Sequence, residues 1–541
     1  MFVNINTIFW LWPEIILILV ACGIYLGGTW STNRTSWSQL ALISYVAAGF
    51  ILLRHEWSLW NTQATLPPSG PLAIDALGHW VRAVSLLIGI LFTGLYWKGT
   101  DRRLASEFLG TLMMAIAGLM LVSRANHLIV LFLGLELVSI PTYILLFLSR
   151  SDQRCLESTT KYFFLNILSS AVLLYGFSFL YGATGTMVLM GTTDIPGIRE
   201  SIITQLSAGS TSINSLLTIS VILILGGLGF KIAAAPFHFY AADVYQGTSN
   251  ATAGFLSIVP KAAGFVALIR LLALSLPATT EVAWQVLFVM SVLTMTVGNV
   301  CALWQTNIRR LLAYSSIAHT GYMLIGLAAA TAWVVAPASE TAGSPPGGIA
   351  ALLLYLLFYC MGTIGIFAAL TFLGNGEEQV DNVDQLSGLS ERHPTVAAAL
   401  AICLFSLAGI PPLAGFWGKF TLFVSAISVF SSTTLASMFS CFIILAVVAA
   451  LNAAVAATYY LRLIGVMYFN KPSHVLPARG HQGSWLVMAI ATSLIIMIGF
   501  LPGRAIRSVR KAEQVQEGRL VERIHEEISN RSLDPTDPVT P

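Results

Sequence analysis

Long, nearly unbroken runs of apolar residues alternate with short polar segments along the whole chain. Each run approaches the roughly 20 residues that a helix needs to cross a bilayer. None shows the regular alternation of a membrane β-strand. The pattern therefore predicts an all-α membrane protein with fourteen transmembrane helices, at about 10–29, 38–53, 79–97, 107–123, 127–148, 161–182, 216–249, 251–275, 282–304, 311–330, 348–373, 394–425, 436–469 and 484–501.

Two of these segments are interrupted by proline. The seventh contains Lys231 with Pro236 five residues later, and the twelfth contains Pro411 and Pro412 shortly before Lys419. Proline breaks a spanning helix and frees backbone carbonyl groups, which is tolerated where the backbone lines a cavity. The two segments lie five apart in the series, so the pattern predicts two inverted five-helix repeats with sites near the membrane midplane.

The predicted organisation has five parts. The N-terminal part holds helices 1–3, the two repeats hold helices 4–8 and 9–13, and a last helix precedes a polar C-terminal tail. In chain order the parts are 1–106, 107–275, 276–470, 471–502 and 503–541.

Composition supports a membrane protein, and the absence of several motifs limits the cofactors that the chain could bind. Hydrophobic residues make up 56% of the 541 residues and charged residues only 10%, whereas soluble proteins carry about 25% charged residues. Soluble enzymes, nucleic-acid-binding proteins and disulfide scaffolds are thereby excluded. The chain has no P-loop, no dinucleotide-binding glycine motif after a strand and no haem-attachment motif. The six cysteines show no CxxC spacing, so we interpret them as core residues.

Basic residues are unevenly distributed among the predicted loops. Twelve fall in one set of alternate loops and four in the other, namely Arg54, Arg124, Arg199 and Arg270. Loops on the inner side of a membrane carry the excess of Lys and Arg. With an even number of segments, both termini are expected on the outer, periplasmic side of a bacterial-type inner membrane.

Several charged residues fall in or beside the apolar segments. They are Arg82, Lys161, Lys231, Lys261, Lys419 and, as the clearest acid, Glu136. A charge at the bilayer centre costs at least about 2.5–3.5 kcal/mol, so several in one chain indicate an ion or proton pathway. Lysine suits proton transfer because it can release its proton in a buried site, whereas arginine keeps its proton.

Some of these residues have an ordinary structural alternative. Lys161 and Arg82 lie near segment ends, where their side chains could extend to the membrane surface. Glu136 could hold two helices together. His238 and His319 fit either a proton relay or a hydrogen-bonded contact between helices.

Three segments resemble a known family: FKIAAAPFHFYAADVYQGTSNATAGFLSIVPKAAGF at 230–265, LWQTNIRRLLAYSSIAHTGYMLIG at 303–326 and FSLAGIPPLAGFWGKF at 405–420. They are similar to the antiporter-like membrane subunits of proton-pumping NADH:quinone oxidoreductase (respiratory complex I), and most of all to the subunit N branch. The likeness extends over nearly all fourteen segments. The polar tail and the longer outer loops depart from the family pattern.

The resemblance implies roles for particular residues. Glu136 matches the glutamate of the family's fifth helix. Lys231, Lys261 and Lys419 match the lysines of its seventh, eighth and twelfth helices. Lys161 resembles the lysine of the sixth helix. These residues would transfer protons.

Three further residues are candidates for bridging the gaps between the lysines. They are His238, His319 and Tyr245. Lys419 stands where the sister subunit M usually has a glutamate, and the short tail differs from the long lateral helix of subunit L. Both features favour the subunit N branch.

The resemblance also implies partners. The chain would bind no cofactor or metal itself and would act as one subunit of an enzyme whose other subunits use FMN, iron–sulfur clusters, NADH and quinone. Its partners would be the other membrane and peripheral subunits and the lipid bilayer, with no nucleic acid. The alternatives are a subunit of a multi-subunit cation/proton antiporter of the same superfamily and a membrane scaffold without transport.

Overall fold

Helices form the secondary structure of the described chain. A computed structural model describes residues 5–62, 70–97, 104–150, 152–191, 195–207, 212–276, 281–335, 347–374, 379–429, 436–472 and 480–513. Within these ranges no β-strand forms, and β-type pairing is limited to isolated bridges between loops. The all-α prediction is confirmed.

The helices are numbered in chain order. They are α1 Ile5–Gly28, α2 Arg34–Thr62, α3 Ala76–Tyr96, α4 Ala105–Arg124, α5 Leu128–Leu148, α6 Gln153–Thr184, α7 Ile198–Ser207, α8 Ser212–Lys231, α9 Ala241–Gly247, α10 Asn250–Leu268, α11 Glu281–Leu303, α12 Ile308–Val335, α13 Gly348–Leu373, α14 Leu389–Arg392, α15 Pro394–Ala408, α16 Ala414–Ser428, α17 Ala436–Phe469, α18 Gln482–Phe500 and α19 at 503–513. A π-helical segment, Ile269–Ser275, continues α10, and a 3₁₀ turn, Val383–Leu386, precedes α14.

Twelve helices in the described ranges are long and apolar enough to span a membrane. The sequence predicted fourteen segments, and the difference lies at the two interrupted ones. There the structure has shorter pieces, α8 with α9 and α15 with α16. The count of fourteen thus stays a prediction.

Local sequence signals set many helix ends. The side chains of Asp75, Asp152 and Ser249 accept hydrogen bonds from the first turns of α3, α6 and α10. Such caps satisfy N–H groups that have no partner inside the helix. At the other end of α6, Gly185 adopts a left-handed conformation with φ +70°, which glycine reaches without a steric penalty.

Three helices form the centre of the fold. The whole of the α10 span and 94% of the α12 and α13 spans are buried, compared with 33% for α1 and 28% for α17. A helix that is apolar on every side is stable when other helices surround it. Side chains on α10, α12 and α13 are therefore shielded from lipid.

Two arginines that the charge pattern assigned to outer loops lie in the protein interior. Arg124 and Arg270 are only 2% and 1% exposed. Arg124 donates to the carbonyl oxygens of Trp10 (2.7 Å) and Ala73 (3.1 Å), and Arg270 Nη2 donates to Asp75 Oδ1 at 2.8 Å. The loop assignment was wrong because acceptors inside the fold satisfy these guanidinium groups.

Arg82 also lies in the interior and does not extend to the membrane surface. Its Nε and Nη2 contact the two carboxylate oxygens of Glu14 at 2.7 and 2.8 Å, and both side chains are at most 3% exposed. Glu14 is a buried acid that the sequence reasoning overlooked. The Arg82–Glu14 pair joins α3 to α1, and the Arg270–Asp75 pair joins the start of α3 to the end of α10.

We expect Asp75→Ala to be strongly destabilising. It leaves the buried Arg270 without its carboxylate and removes the cap of α3, and breaking a buried pair costs about 3–5 kcal/mol. The double change Asp75→Leu with Arg270→Met should cost less because no unpaired charge remains. Thermal unfolding of the purified protein measures both, and equal losses would contradict the importance of charge pairing here.

Candidate functional site

The first break separates α8 from α9. Pro236 offers no N–H group, and the chain leaves the helix after Lys231. Side chains from the second half of the chain satisfy the freed backbone: Thr320 donates to the carbonyl of Ile232 at 2.9 Å. The N–H of Ala235 donates to Thr294 Oγ1 at 2.9 Å. The break is therefore held by packing against α11 and α12.

Lys231 ends α8 in a polar group formed with α5 and α6. Its ammonium lies 3.3 Å from Glu136 Oε1 and donates to Ser139 (2.7 Å) and Ser170 (3.1 Å). Ser170 in turn donates to Glu136 Oε1 at 2.6 Å. The Lys231 side chain is 3% exposed and that of Glu136 22%. Three acceptors match the three ammonium protons, so the lysine is fully satisfied in its charged form.

The second break separates α15 from α16. Gly409 follows α15 with φ +90°, and Lys419 on α16 reaches back to donate to the carbonyl of Ala408 at 2.8 Å. The ammonium also lies 5.0 Å from the ring centre of Tyr322. A cation at the C-terminal end of a helix interacts favourably with the helix dipole.

Lys261 lies on α10, in the centre of the fold. Its ammonium donates to the backbone carbonyl of Ser316 at 2.7 Å and also contacts the Ser316 hydroxyl. Tyr359 donates to the same hydroxyl at 2.7 Å. In the part of the chain that the structure describes, no carboxylate lies within ion-pair distance of Lys261 or Lys419.

His319 lies on α12 in a separate hydrogen-bonded group. Its Nδ1 is 2.6 Å from the hydroxyl of Tyr355 and its Nε2 is 2.8 Å from that of Tyr460. The Tyr460 hydroxyl also bonds to Ser315. Every member of this group can both donate and accept a hydrogen bond.

Lys261, Ser316 and Tyr359 are called the Lys261 group below, and His319 with its hydrogen-bonded neighbours the His319 group. A small cavity lies between these two groups. Ser315, Tyr359 and Thr363 line it together with apolar residues, and its volume is about 10 Å³. That is about the space that one buried water molecule needs, and the three hydroxyl groups in its otherwise apolar lining could hydrogen-bond such a water. The cavity therefore touches both hydrogen-bonded groups.

Lys161 lies apart from the buried lysines. Its side chain is 45% exposed and pairs with Glu157 at 2.5 Å and Asp243 at 3.5 Å. Asp243 also binds Arg310 of α12 at 2.6 Å. These contacts link the two halves of the chain at the edge of the fold.

Tyr245 and His238 occupy different surroundings. Tyr245 on α9 is 5% exposed, with Ser316 and Ser257 as hydrogen-bonding neighbours, so it adjoins the Lys261 group. His238 is half-buried in the first break. In the described structure it does not belong to the hydrogen-bonded groups around Lys231, Lys261 or His319.

The sequence reasoning missed the hydroxyl partners of these residues: Ser139, Ser170, Ser316, Tyr355, Tyr359 and Tyr460. A helical spacing of three could have revealed two of them, since Ser139 follows Glu136 by three positions and Ser316 precedes His319 by three. The others come from different helices, where the sequence offers no such signal.

The described residues offer no site for a metal ion. Among them, no group of three or more His, Cys, Asp or Glu side chains is arranged to hold one.

The family model described as NADH:quinone oxidoreductase/Mrp antiporter, transmembrane, matches residues 125–448. This range is more than half of the chain and contains Glu136, Lys231, Lys261 and Lys419. The chain belongs to this family. The family match begins just before α5 and ends within α17, so α1–α4, α18 and α19 lie outside it.

Curated relatives match most of the chain. A protein named NADH-quinone oxidoreductase subunit N from Trichlorobacter lovleyi is 36% identical over 473 residues, covering 86% of this chain and 88% of that protein. A protein of the same name from Rhodospirillum rubrum is 35% identical, covering 79% of this chain and 80% of that protein.

Solved structures share the fold. A chain of respiratory complex I from Thermus thermophilus with bound aureothin is 30% identical with a TM-score of 0.72, covering 92% of this chain and 99% of that one. A chain of the Mrp complex from Dietzia sp. DQ12-45-1b has a TM-score of 0.73 at 19% identity, covering 94% and 97%. At that identity the second likeness concerns the fold alone.

We expect Gly409→Ala to be more costly than Gly185→Ala. Both glycines have a left-handed backbone, which strains another residue by about 1–3 kcal/mol. A Cβ at Gly409 would come within 2.8 Å of Lys419 Cδ, whereas a Cβ at Gly185 meets nothing within 4 Å. The crowding should add about 1–3 kcal/mol, measured by thermal unfolding. Equal costs would show that Lys419 moves aside freely.

Proposed function

We propose that this chain is subunit N of a proton-translocating NADH:quinone oxidoreductase. It would move protons across the membrane while other subunits pass electrons from NADH to quinone. Relatives that carry this name support the assignment over most of their length. The observation that carries the mechanism is the set of three buried lysines, of which Lys231 alone faces a carboxylate among the described residues.

We propose further that each interrupted pair, α8 with α9 and α15 with α16, crosses the membrane once. This gives fourteen spans, of which ten form two inverted five-helix repeats at 107–275 and 276–470. The isolated bridges support this arrangement. His127, before α5, pairs with Val188, after α6, and Asn307, before α12, pairs with Asn382, after α13. The same connection thus recurs in both halves. An even number of spans would place both termini on the same side, and the excess of Lys and Arg in the opposite set of loops favours the periplasmic side.

Proton transfer would start at the Glu136–Lys231 pair. While the pair is closed, the carboxylate compensates the buried ammonium. When it opens, Lys231 is left as an uncompensated buried charge, and release of its proton toward Lys261 becomes favourable. Opening and closing of one ion pair would therefore control the step.

The route from Lys261 toward Lys419 follows hydrogen-bonding side chains. We place one water in the small cavity, where it would join Tyr359 and Thr363 of the Lys261 side to Ser315 of the His319 side. Protons would then pass through Tyr460, His319 and Tyr355.

Tyr355 lies at the end of this route toward Lys419. Its ring centre is 6.2 Å from that of Tyr322, and the Lys419 ammonium lies 5.0 Å from the Tyr322 ring centre. Hydroxyl and imidazole groups can donate and accept in the same transfer. Tyr245 adjoins the Lys261 group and could share in it. We assign Lys161 a structural role in its ion pairs and leave His238 outside the route.

On this proposal the chain acts in a bacterial inner membrane as one subunit of an enzyme. FMN, iron–sulfur clusters, NADH and quinone would bind to other subunits. The assembled complex, reconstituted in vesicles, should couple NADH-dependent quinone reduction to proton movement, and reduction without proton movement would contradict the proposal.

The family description also covers cation/proton antiporters, which are the alternative. A sodium site would need several membrane carboxylates. Among the described residues, Glu14 is held by Arg82 and Asp75 by Arg270. Glu136 is already paired with Lys231. The available carboxylates therefore favour proton transfer.

We expect Lys231→Arg to abolish coupled quinone reduction and proton movement. Arginine keeps the positive charge but does not release its proton. Lys471→Arg, a change at an exposed loop lysine, is the matched control and should leave both rates unchanged. Full coupled activity in Lys231→Arg would show that proton release from this position is not required.

We expect Thr363→Val to lower coupled turnover about tenfold, since proton relays of this kind contribute tenfold or more. Valine has nearly the same shape but removes one hydroxyl from the proposed water site. Thr371→Val is the control on the same helix, because the Thr371 hydroxyl bonds only to its own helix in the described structure, at Phe367. Equal rates for both variants would remove the cavity water from the route.

A further inference from the structure

The C-terminal tail begins with a helix that packs into the fold. After Phe500 the chain turns and forms α19 at 503–513. Val509 and Ala512 are at most 2% exposed and Glu513 is 6% exposed. The sequence predicted a polar tail from 503 onward, part of it an amphipathic helix with Leu520, Ile524 and Ile528 on one face. Residues 503–513 form a helix that packs into the fold. Those three residues lie within 514–541, outside the described residues.

Glu513 caps α13 from another part of the chain. The residue before α13, Gly347, has φ +65° and no side chain to accept a hydrogen bond. Glu513 Oε1 accepts from the N–H of Ile349 at 3.1 Å, and the N–H of Ala350 also donates to the carboxyl group. The N–H groups at the start of a helix have no partner within the helix, and they favour an acceptor with negative charge.

A second contact fixes α19 to the start of α3. Trp80 Nε1 donates to Ser508 Oγ at 3.3 Å. α19 thus bridges the first turns of α3 and α13 next to the end of α18.

We propose that α19 is a latch in which Glu513 positions α13, and that the latch closes more tightly as the medium on its side of the membrane becomes acidic. The position of α13 matters because this helix carries Tyr355 and Tyr359. That part of the inference rests on the proposed function.

The direction of the pH effect follows from the carboxyl group. Burial raises the pKa of Glu513 from its ordinary 4.5 to about 7, against the opposing hydrogen bonds from Ala350 and Ile349 and the charge of Arg510. The docked carboxyl thus holds its proton more tightly than a free one, so acid favours docking. Between pH 8 and pH 6 docking should strengthen about tenfold.

Among the described residues, few other charges face this contact. The first turn of α13 has no ionisable side chain, and on α19 the basic residues Arg507, Arg510 and Lys511 keep their charge throughout this pH range. On α3, His79 and Arg82 flank Trp80, and Arg82 is paired with Glu14. Glu513→Gln removes only the contribution of Glu513, so the pH dependence that this variant loses belongs to Glu513 and not to His79.

Hydrogen–deuterium exchange of the assembled complex at pH 6, 7 and 8 tests the latch. After correction for intrinsic exchange, protection of 503–513 should rise about tenfold from pH 8 to pH 6. Glu513→Gln keeps an acceptor without a charge, so its protection should be high and independent of pH. Glu513→Ala should be weakly protected throughout, and Arg507→Gln, an exposed change on the same helix, should follow the unmodified protein.

Equal pH dependence in the unmodified protein and Glu513→Gln would overturn the latch. Exchange is measured without turnover, so this outcome is independent of the proton route. In vesicles, Glu513→Gln should also weaken the dependence of coupled turnover on pH at the α19 side, while Arg507→Gln leaves that dependence as it is in the unmodified protein. Unchanged dependence in Glu513→Gln would overturn the positioning role of Glu513.

Discussion

Three lysine ammonium groups buried in a helical membrane protein impose the constraint on which the rest of this structure depends. Each must be hydrogen-bonded, because an unpaired charge in a low-dielectric interior is very costly. The fold meets the need differently at each position. Lys231 has a carboxylate and two hydroxyls, Lys261 has a carbonyl and a hydroxyl, and Lys419 has a helix-end carbonyl and an aromatic face.

The two helix breaks are part of this solution. An unbroken helix uses its carbonyl groups internally, whereas a helix that ends inside the protein presents free carbonyl oxygens to a cation. Lys419 uses such a carbonyl at Ala408. At the first break, Thr320 and Thr294 satisfy the backbone, so the polar backbone is tolerated within the membrane region. Helix breaks and buried lysines therefore depend on each other.

The sequence predicted what depends on local pattern and failed where partners come from distant parts of the chain. Proline positions and apolar runs predicted the helices and their breaks, and isolated charges pointed to Glu136 and the three lysines. The same reasoning assigned Arg124 and Arg270 to loops, because their acceptors at Trp10 and Asp75 lie far away in sequence. Tyr355, Tyr359 and Tyr460 were missed for the same reason. A hydroxyl on an apolar helix shows its role only once the facing helix is known.

The distribution of carboxylates around the three buried lysines affects how protons can move between the lysines. Among the described residues, Glu136 is the one carboxylate paired with a buried lysine, and it serves Lys231. Within the part of the chain that the structure describes, the acceptors of Lys261 and Lys419 are neutral, so keeping both protonated together would concentrate positive charge in the central helices, around His319. Loss of a proton from one relieves the repulsion on the other. With one counter-charge for three lysines among the described residues, we expect the lysines to hold protons one after another rather than all at once. Opening or closing the Glu136–Lys231 pair can therefore change which of the three lysines is protonated.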